Sequence, residues 1–322
     1  MTSTGRWLLV AAIAPLAWGS TYVVTAQLLP ADTPIWGAAL RALPAGLVLL
    51  LLARRLPRGR WWWRSTVLGV LNVGAFFVLV YVAAQLLPSG VAAMLMATSP
   101  AVILLIAWPI AREKPAALSL LGAVIGFAGV VVLLAGATGT LSGWGIAASL
   151  AAMLMSSVGF VLARRWNDGT PALSVTAWQL TIGGLALVPV ALIAEGAPPA
   201  LDAAGIAGAA YLALVATALA FATWFAALQH LPAGAVGLVG LLNPVAGVAL
   251  GVLVAQEAFT AVQVMGMVTV LLGIVLGQPA IATALRSAPN RRSERRARRR
   301  PVPTGTVPTD TAQLRVRAAG AA

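Results

Sequence analysis

The sequence predicts an all-α polytopic membrane protein, with ten transmembrane helices arranged as two five-helix repeats of inverted topology. Three observations predict it. The chain of 322 residues is 60% hydrophobic and only 9% charged, with a mean hydropathy of +0.94, whereas a soluble protein carries about 25% charged residues. Ten apolar runs each approach the roughly 20 residues that a spanning helix needs. Residues 84–134 also slide onto 228–278 without a gap, bringing Pro100 onto Pro244 and Glu113 onto Glu257.

Taken in order, the runs are separated by polar or Gly/Pro breaks. The first, 7–28, is longer than the apolar stretch of a removable signal peptide, about 7–15 residues, and nine more follow, so it is the first span. The second, 34–53, opens on Pro34 and stops at Arg54 and Arg55. The third, 64–86, follows the RGRWWWR stretch, and the fourth, 90–111, runs from Gly90 to Arg112. The fifth is 115–136, the sixth, 143–163, stops at Arg164 and Arg165, and the seventh, 172–194, stops at Glu195. The eighth, ninth and tenth are 205–228, 234–255 and 260–279.

Charge orients these spans. Lys and Arg near span ends stay on the cytoplasmic side. Apart from Arg41, every Lys and Arg lies at the N-terminus, in an even-numbered loop or in the C-terminal tail, while the odd-numbered loops carry Asp32, Glu195, Asp202 and Glu257. Both termini are therefore expected in the cytoplasm, with the chain in the cytoplasmic (inner) membrane. Trp7, Trp36, Trp61, Trp62, Trp63, Trp108, Trp144 and Trp166 fall near span ends, where an amphipathic ring favours the headgroup level. Trp18 falls near the middle of span 1.

The 144-residue offset also matches Gln85 to Gln229, Pro88 to Pro232, Gly90 to Gly234, Gly122 to Gly266 and Gly129 to Gly273, and an offset of 138 matches Arg41 to Gln179 and Gly46 to Gly184. Two copies of five spans must face opposite ways across the bilayer. That arrangement is typical of secondary transporters, whose site lies near the midplane between the copies. The expected units are 1–140, 141–285 and a tail, 286–322.

The ten spans, the WGS of Trp18 to Ser20, the early Arg41 of span 2 and the Pro-to-Glu stretch closing spans 4 and 9 resemble the EamA-like branch of the drug/metabolite transporter superfamily. The resemblance covers about residues 6–280. It implies the inverted-repeat fold and transport, commonly export, of small metabolites such as amino acids. The chain departs from it where Arg112 and Gln256 precede the glutamates, positions at which that family often has glycine.

Pro100 and Pro244 lie near the centres of spans 4 and 9. Proline lacks an N–H and crowds the carbonyl four residues back, here Met96 and Gly240, and lipid offers those carbonyls no partner. Paired interruptions are the best pointer in sequence to a transporter site; an ordinary packing kink is the alternative. Their polar neighbours Ser99 and Asn243 join the candidate set.

Arg41 is the one cation inside a span, roughly 10 Å from the start of span 2 at 1.5 Å per residue. Burying it in a bilayer costs about 2.5 to 3.5 kcal/mol, and something must compensate it. It either captures a substrate carboxylate or phosphate bidentately or is a structural arginine bonded to helix ends or to Glu257. Trp18, Ser20, Tyr22, Asn72, Gln179 and Thr217 are the remaining mid-depth candidates, each also suited to an interhelical bond or a packed ring. Glu113 and Glu257 read as structural, accepting backbone N–H groups at span ends.

Gly122 to Gly126 and Gly273 to Gly277 fit small-xxx-small packing; helix pairing within one bundle and a homodimer both stay open. The tail, with ten arginines against Glu294 and Asp310 for a net +8, is of disordered composition and suits anionic inner-leaflet lipids. It supplies most of the chain's +13, so the basicity does not call for nucleic acid. One histidine, His230, and no cysteine exclude Cys and His-cluster metal sites and thiol chemistry. No catalytic constellation, cofactor motif or GxxxxGK[ST] sequence is present. The expectation is a secondary transporter, not an enzyme, exporting an amino acid or related small metabolite by alternating access, with a drug or quaternary-cation efflux transporter as the alternative.

Overall fold

A computed structural model describes residues 3–111, 115–137, 141–231 and 233–278; Glu113 and the arginine-rich tail lie outside the described residues. Among these, every regular element is helical. Helices α1 (Ser3–Leu28), α2 (Pro34–Ala53), α3 (Trp61–Gly69) and α4 (Ala75–Leu86) are followed by α5 (Ser89–Ala97), α6 (Ser99–Ala111) and α7 (Ala117–Ala135). The second half holds α8 (Gly143–Arg165), α9 (Ala172–Ala194), α10 (Ala203–Ala210), α11 (Ala220–Leu228), α12 (Ala233–Val239), α13 (Leu242–Leu253) and α14 (Ala261–Gly277). Two wider, π-helical stretches, Val70–Gly74 and Tyr211–Leu219, join α3 to α4 and α10 to α11.

Among the described residues, eight continuous segments are long and apolar enough to cross a membrane. The other two expected spans come out shorter. The ninth is divided into α12 and α13, and the tenth, α14, has 17 residues, about 26 Å at 1.5 Å per residue. The division has a local cause: Pro244 cannot donate to Gly240, whose carbonyl instead accepts the Asn243 amide at 3.1 Å.

Span 4 is interrupted at the matching place. Thr98 separates α5 from α6, its hydroxyl and amide both returning to the Leu95 carbonyl at 2.7 and 3.3 Å. The Met96 carbonyl that Pro100 displaces accepts the Ser99 hydroxyl. Both freed carbonyls are thus satisfied locally.

The outer surface is apolar. Ile193, Leu51 and Leu253 are 86%, 75% and 72% exposed, which only a lipid solvent makes comfortable. Inside, small residues let backbones touch, the usual basis of helix association in lipid. A Cβ on Gly122 would stand 2.5 Å from the Gly277 nitrogen, and one on Gly129 would stand 2.6 Å from that of Val270, so α7 and α14 meet along their glycines. The small-xxx-small motifs are therefore spent within one chain, and the homodimer reading loses its support. Gly46 and Gly184 join α2 to α9 in the same way, at 2.5 Å from the Thr181 nitrogen and 2.8 Å from that of Leu43.

Polar contacts gather the loops at two ends. At one, Glu195 accepts the amides of Ile35 and Trp36 at 2.7 and 2.9 Å, and Glu257 accepts those of Ser89 and Gly90 at 2.5 and 3.0 Å. Each carboxylate thereby caps a helix in a different part of the chain, α2 or α5, where the exposed amides and helix dipole favour negative charge. At the other end Arg64 lies 3.7 Å from Asp168, Trp61 donates to Asp168 at 2.9 Å, and Trp178 donates to the Arg55 carbonyl at 2.7 Å.

Candidate functional site

The two π-helical stretches each deliver a polar side chain to the centre of the bundle. A π turn holds one residue more than an α turn, often at functional sites. In Tyr211–Leu219 the extra residue turns Thr217 inward, fully buried, with its hydroxyl donating to the Leu212 carbonyl at 2.8 Å. That hydroxyl also accepts the Arg41 Nε–H at 3.0 Å. In Val70–Gly74 the amide of Asn72 donates to the Gln179 side-chain oxygen at 2.8 Å.

These two bonds correspond. Arg41 and Gln179 occupy matching positions 138 residues apart, and Asn72 and Thr217 sit in the two π stretches. The two pairs differ in charge and in the direction of the bond, since Arg41 donates to the π-stretch residue Thr217, whereas the π-stretch residue Asn72 donates to Gln179.

Arg41 has no anion beside it. Its guanidinium lies over the Phe77 ring at 4.2 Å, a cation–π contact, and Tyr22 is close enough to interact with its charge. Among the described residues no carboxylate reaches it, and its terminal nitrogens have no hydrogen-bond partner. Glu257, the structural partner the sequence allowed, is occupied with Ser89 and Gly90. Arg41 remains partly exposed among buried neighbours: Phe77 is 4% and Tyr22 4% exposed.

An aromatic group continues from there. Phe221 packs against the cluster that contains Phe77, stands 5.4 Å from Trp18 and is stacked with Phe225 at 6.0 Å. Trp18 also meets Trp224 at 5.4 Å. Ser20 bonds the Tyr211 hydroxyl at 2.7 Å and the Ala17 carbonyl at 2.8 Å. Between Trp18 and Ser20, Gly19 lets α1 press onto α13: a Cβ there would stand 2.5 Å from the Asn243 carbonyl oxygen.

Of the sequence candidates, the structure brings Arg41, Tyr22 and Thr217 into one group, while Trp18 joins Phe221 and Trp224 and Ser20 bonds the Tyr211 hydroxyl. Asn72 and Gln179 form the second pair. Asn243 and Pro244 adjoin Gly19 at the break of span 9. Ser99 and Pro100 lie at the break of span 4, where Ser99 bonds the Met96 carbonyl and not either pair. Phe77, Tyr211, Phe221 and Trp224 were missed, because an aromatic in an apolar span carries no periodic signal that separates it from packing.

Comparison with known proteins identifies the family of the chain and its fold. The family model described as the EamA-like transporter family matches residues 5–135 and 143–277, one match per repeat. Protein PecM of Dickeya dadantii (strain 3937) is 36% identical over 267 residues, covering 82% of this chain and 90% of that protein. The uncharacterized inner membrane transporter YedA of Escherichia coli (strain K12) is 28% identical over 269 residues, 81% of this chain and 87% of its own length. A solved crystal structure superposes with a TM-score of 0.62 at 22% identity, over 88% of this chain and 99% of that one, a likeness of fold.

Proposed function

The chain belongs to the EamA-like transporter family, a family of transporters and not enzymes, and from that premise we propose that it is a secondary transporter working by alternating access. Its cargo is a small metabolite, an amino acid or related compound, moved outward across the cytoplasmic membrane, with both termini and the arginine-rich tail on the cytoplasmic side. The observation that carries this reading is the correspondence of Arg41–Thr217 with Gln179–Asn72, each made at a π-helical stretch. Two matching joints in oppositely facing units, 1–140 and 141–285, give one chain two mirrored shapes, and interchange between them exposes a central site to either side in turn.

Further support comes from the paired interruptions at Thr98 and at Gly240 to Leu241, each shortly before a matched proline. Charge supports the orientation: Glu195 and Glu257 work at one end, while Arg55 and Arg64 work at the other. The tail's net +8 suits anionic inner-leaflet lipids. The substrate-contacting set in this reading is Arg41, Thr217, Tyr22, Trp18, Ser20, Asn72 and Gln179, with Ser99, Pro100, Asn243 and Pro244 at the joints.

The test is counterflow in proteoliposomes holding purified protein, with labelled amino acids, their derivatives and organic cations, with and without a pH gradient. Saturable, trans-stimulated flux of any one solute supports a carrier. Flux that never saturates and shows no trans-stimulation refutes alternating access.

A further inference from the structure

We propose that the Arg41 site takes an organic monoanion with an apolar, aromatic-sized body, and not a zwitterion or a cation. The inference rests on the transporter reading for the site's purpose, but its geometry stands independently. A guanidinium presents five donors; here Arg41 is half-buried, Thr217 accepts one donor, Phe77 covers a face, and among the described residues the terminal nitrogens have no hydrogen-bond partner. An unpaired charge in such a place is costly to hold, and a carboxylate bound bidentately would satisfy both the charge and the remaining donors.

The same inventory argues against an ammonium group on the ligand. Among the described residues the acids are Asp32, Asp168, Glu195, Asp202 and Glu257. Glu195 and Glu257 cap helices, Asp202 caps α10 through Gly205, and Asp168 pairs with Arg64. Asp32 lies in the loop before α2. None stands beside Arg41 to receive a cation. The packing cluster that holds Phe77 also takes in Phe221, which meets Trp18, and Trp18 meets Trp224, so aromatic area for stacking continues from the ring beneath the guanidinium. An amino acid blocked at its nitrogen, or an acid lacking one, meets these terms better than a free amino acid does.

Three matched probes decide it: N-acetylphenylalanine (anion), phenylalanine (zwitterion) and N-acetylphenylalaninamide (neutral), titrated into the purified full-length protein with intrinsic tryptophan fluorescence as the readout. The acid is expected to bind about 10- to 100-fold tighter than the amide, the span that a charge-assisted contact supports, and at least tenfold tighter than phenylalanine. In Arg41→Gln, acid and amide are expected to converge. Equal binding of acid and amide by the native protein, tighter binding of phenylalanine, or no binding of any probe overturns the proposal.

Because Arg41→Gln could fail to fold, Arg41→Met supplies a second readout without ligand. Its melting temperature is expected to equal or exceed that of the native protein, since the empty site no longer holds an unpaired charge. A large fall would make Arg41 structural. Binding of the acid without counterflow would sink the transport reading and leave the site; flux of a cation unaffected by Arg41→Gln would do the reverse.

Discussion

Between α7 and α14 two backbones run so close that a methyl group on Gly129 would meet the Val270 nitrogen at 2.6 Å, whereas the Arg41 guanidinium keeps two nitrogens that none of the described residues accepts from. The seam is finished: small residues, backbone in contact with backbone, and Ser119 and Thr260 closing it by bonds to the Gly277 and Gly136 carbonyls at 3.1 and 2.7 Å. The centre is unfinished. Asn72 repeats the lesson, because its side-chain oxygen is buried without a partner. The two regions therefore differ in kind: backbone packs on backbone at the seam, while at the centre polar groups meet with donors and acceptors left over.

The largest effect should come from breaking the seam. Gly129→Ala places its methyl against backbone atoms of Gly266, Thr269 and Val270, and overpacking of this kind costs about 3 kcal/mol. Gly126→Ala, one turn earlier, meets open space, so thermal melts in detergent should separate these two alanines clearly. Equal melting temperatures would mean that α7 and α14 do not meet as described.

Next comes Glu257→Ala, which strips two backbone amides of a charged acceptor and should cost about 2 kcal/mol. Glu195→Ala should behave alike, because the Ile35 and Trp36 amides lose the same kind of cap. Hydrogen exchange confined to the first turns of α5 and α2 would localise each loss.

Within the centre, Asn72→Ala removes one interhelical bond, worth about 0.6 kcal/mol in a bilayer, and relieves an unpaired oxygen. It should scarcely change the melting temperature while slowing counterflow severalfold. A large stability loss with unchanged flux would make the Asn72–Gln179 pair part of the scaffold and not of the moving joint.

The smallest effect lies at the arginine-rich end. The Thr170 hydroxyl foremost, then the Trp61 indole, hold the Asp168 carboxyl below the ordinary carboxylate range. A lowered value means that its contribution is in place above the free-aspartate value of about 3.9 and is lost as pH falls through the lower folded value. Fluorescence of the native protein should therefore hold steady from neutral pH to about 4 and change only below it. Asp168→Asn should abolish that acid-side change, and a transition near neutrality would point to another group.

Much of the architecture was legible because lipid makes the rules strict. Long apolar runs have one physical reading when no water can rescue the backbone, whereas the small-xxx-small glycines allowed either helix pairing within the chain or a homodimer until the structure joined α7 to α14. The matched prolines located both interruptions to within a few residues. The sequence also implied that the displaced carbonyls of Met96 and Gly240 need partners, but not that Ser99 and Asn243 supply them locally. Glu257 read correctly as an acceptor of backbone amides, while nothing linear tied it to Ser89 and Gly90, 168 and 167 residues away.

Composition, hydropathy and the internal repeat by themselves determined that this chain lives in a bilayer, has two related halves and carries one cation at depth. Tertiary structure alone decided three things. The glycine stripes join α7 to α14, the polar residues of the π stretches pair with α2 and α9, and among the described residues Arg41 has no carboxylate neighbour. The physical reason is that hydropathy and turn chemistry act on adjacent residues, whereas pairing and its absence are set by which side chains the folded helices bring within about 3 Å, the reach of a hydrogen bond.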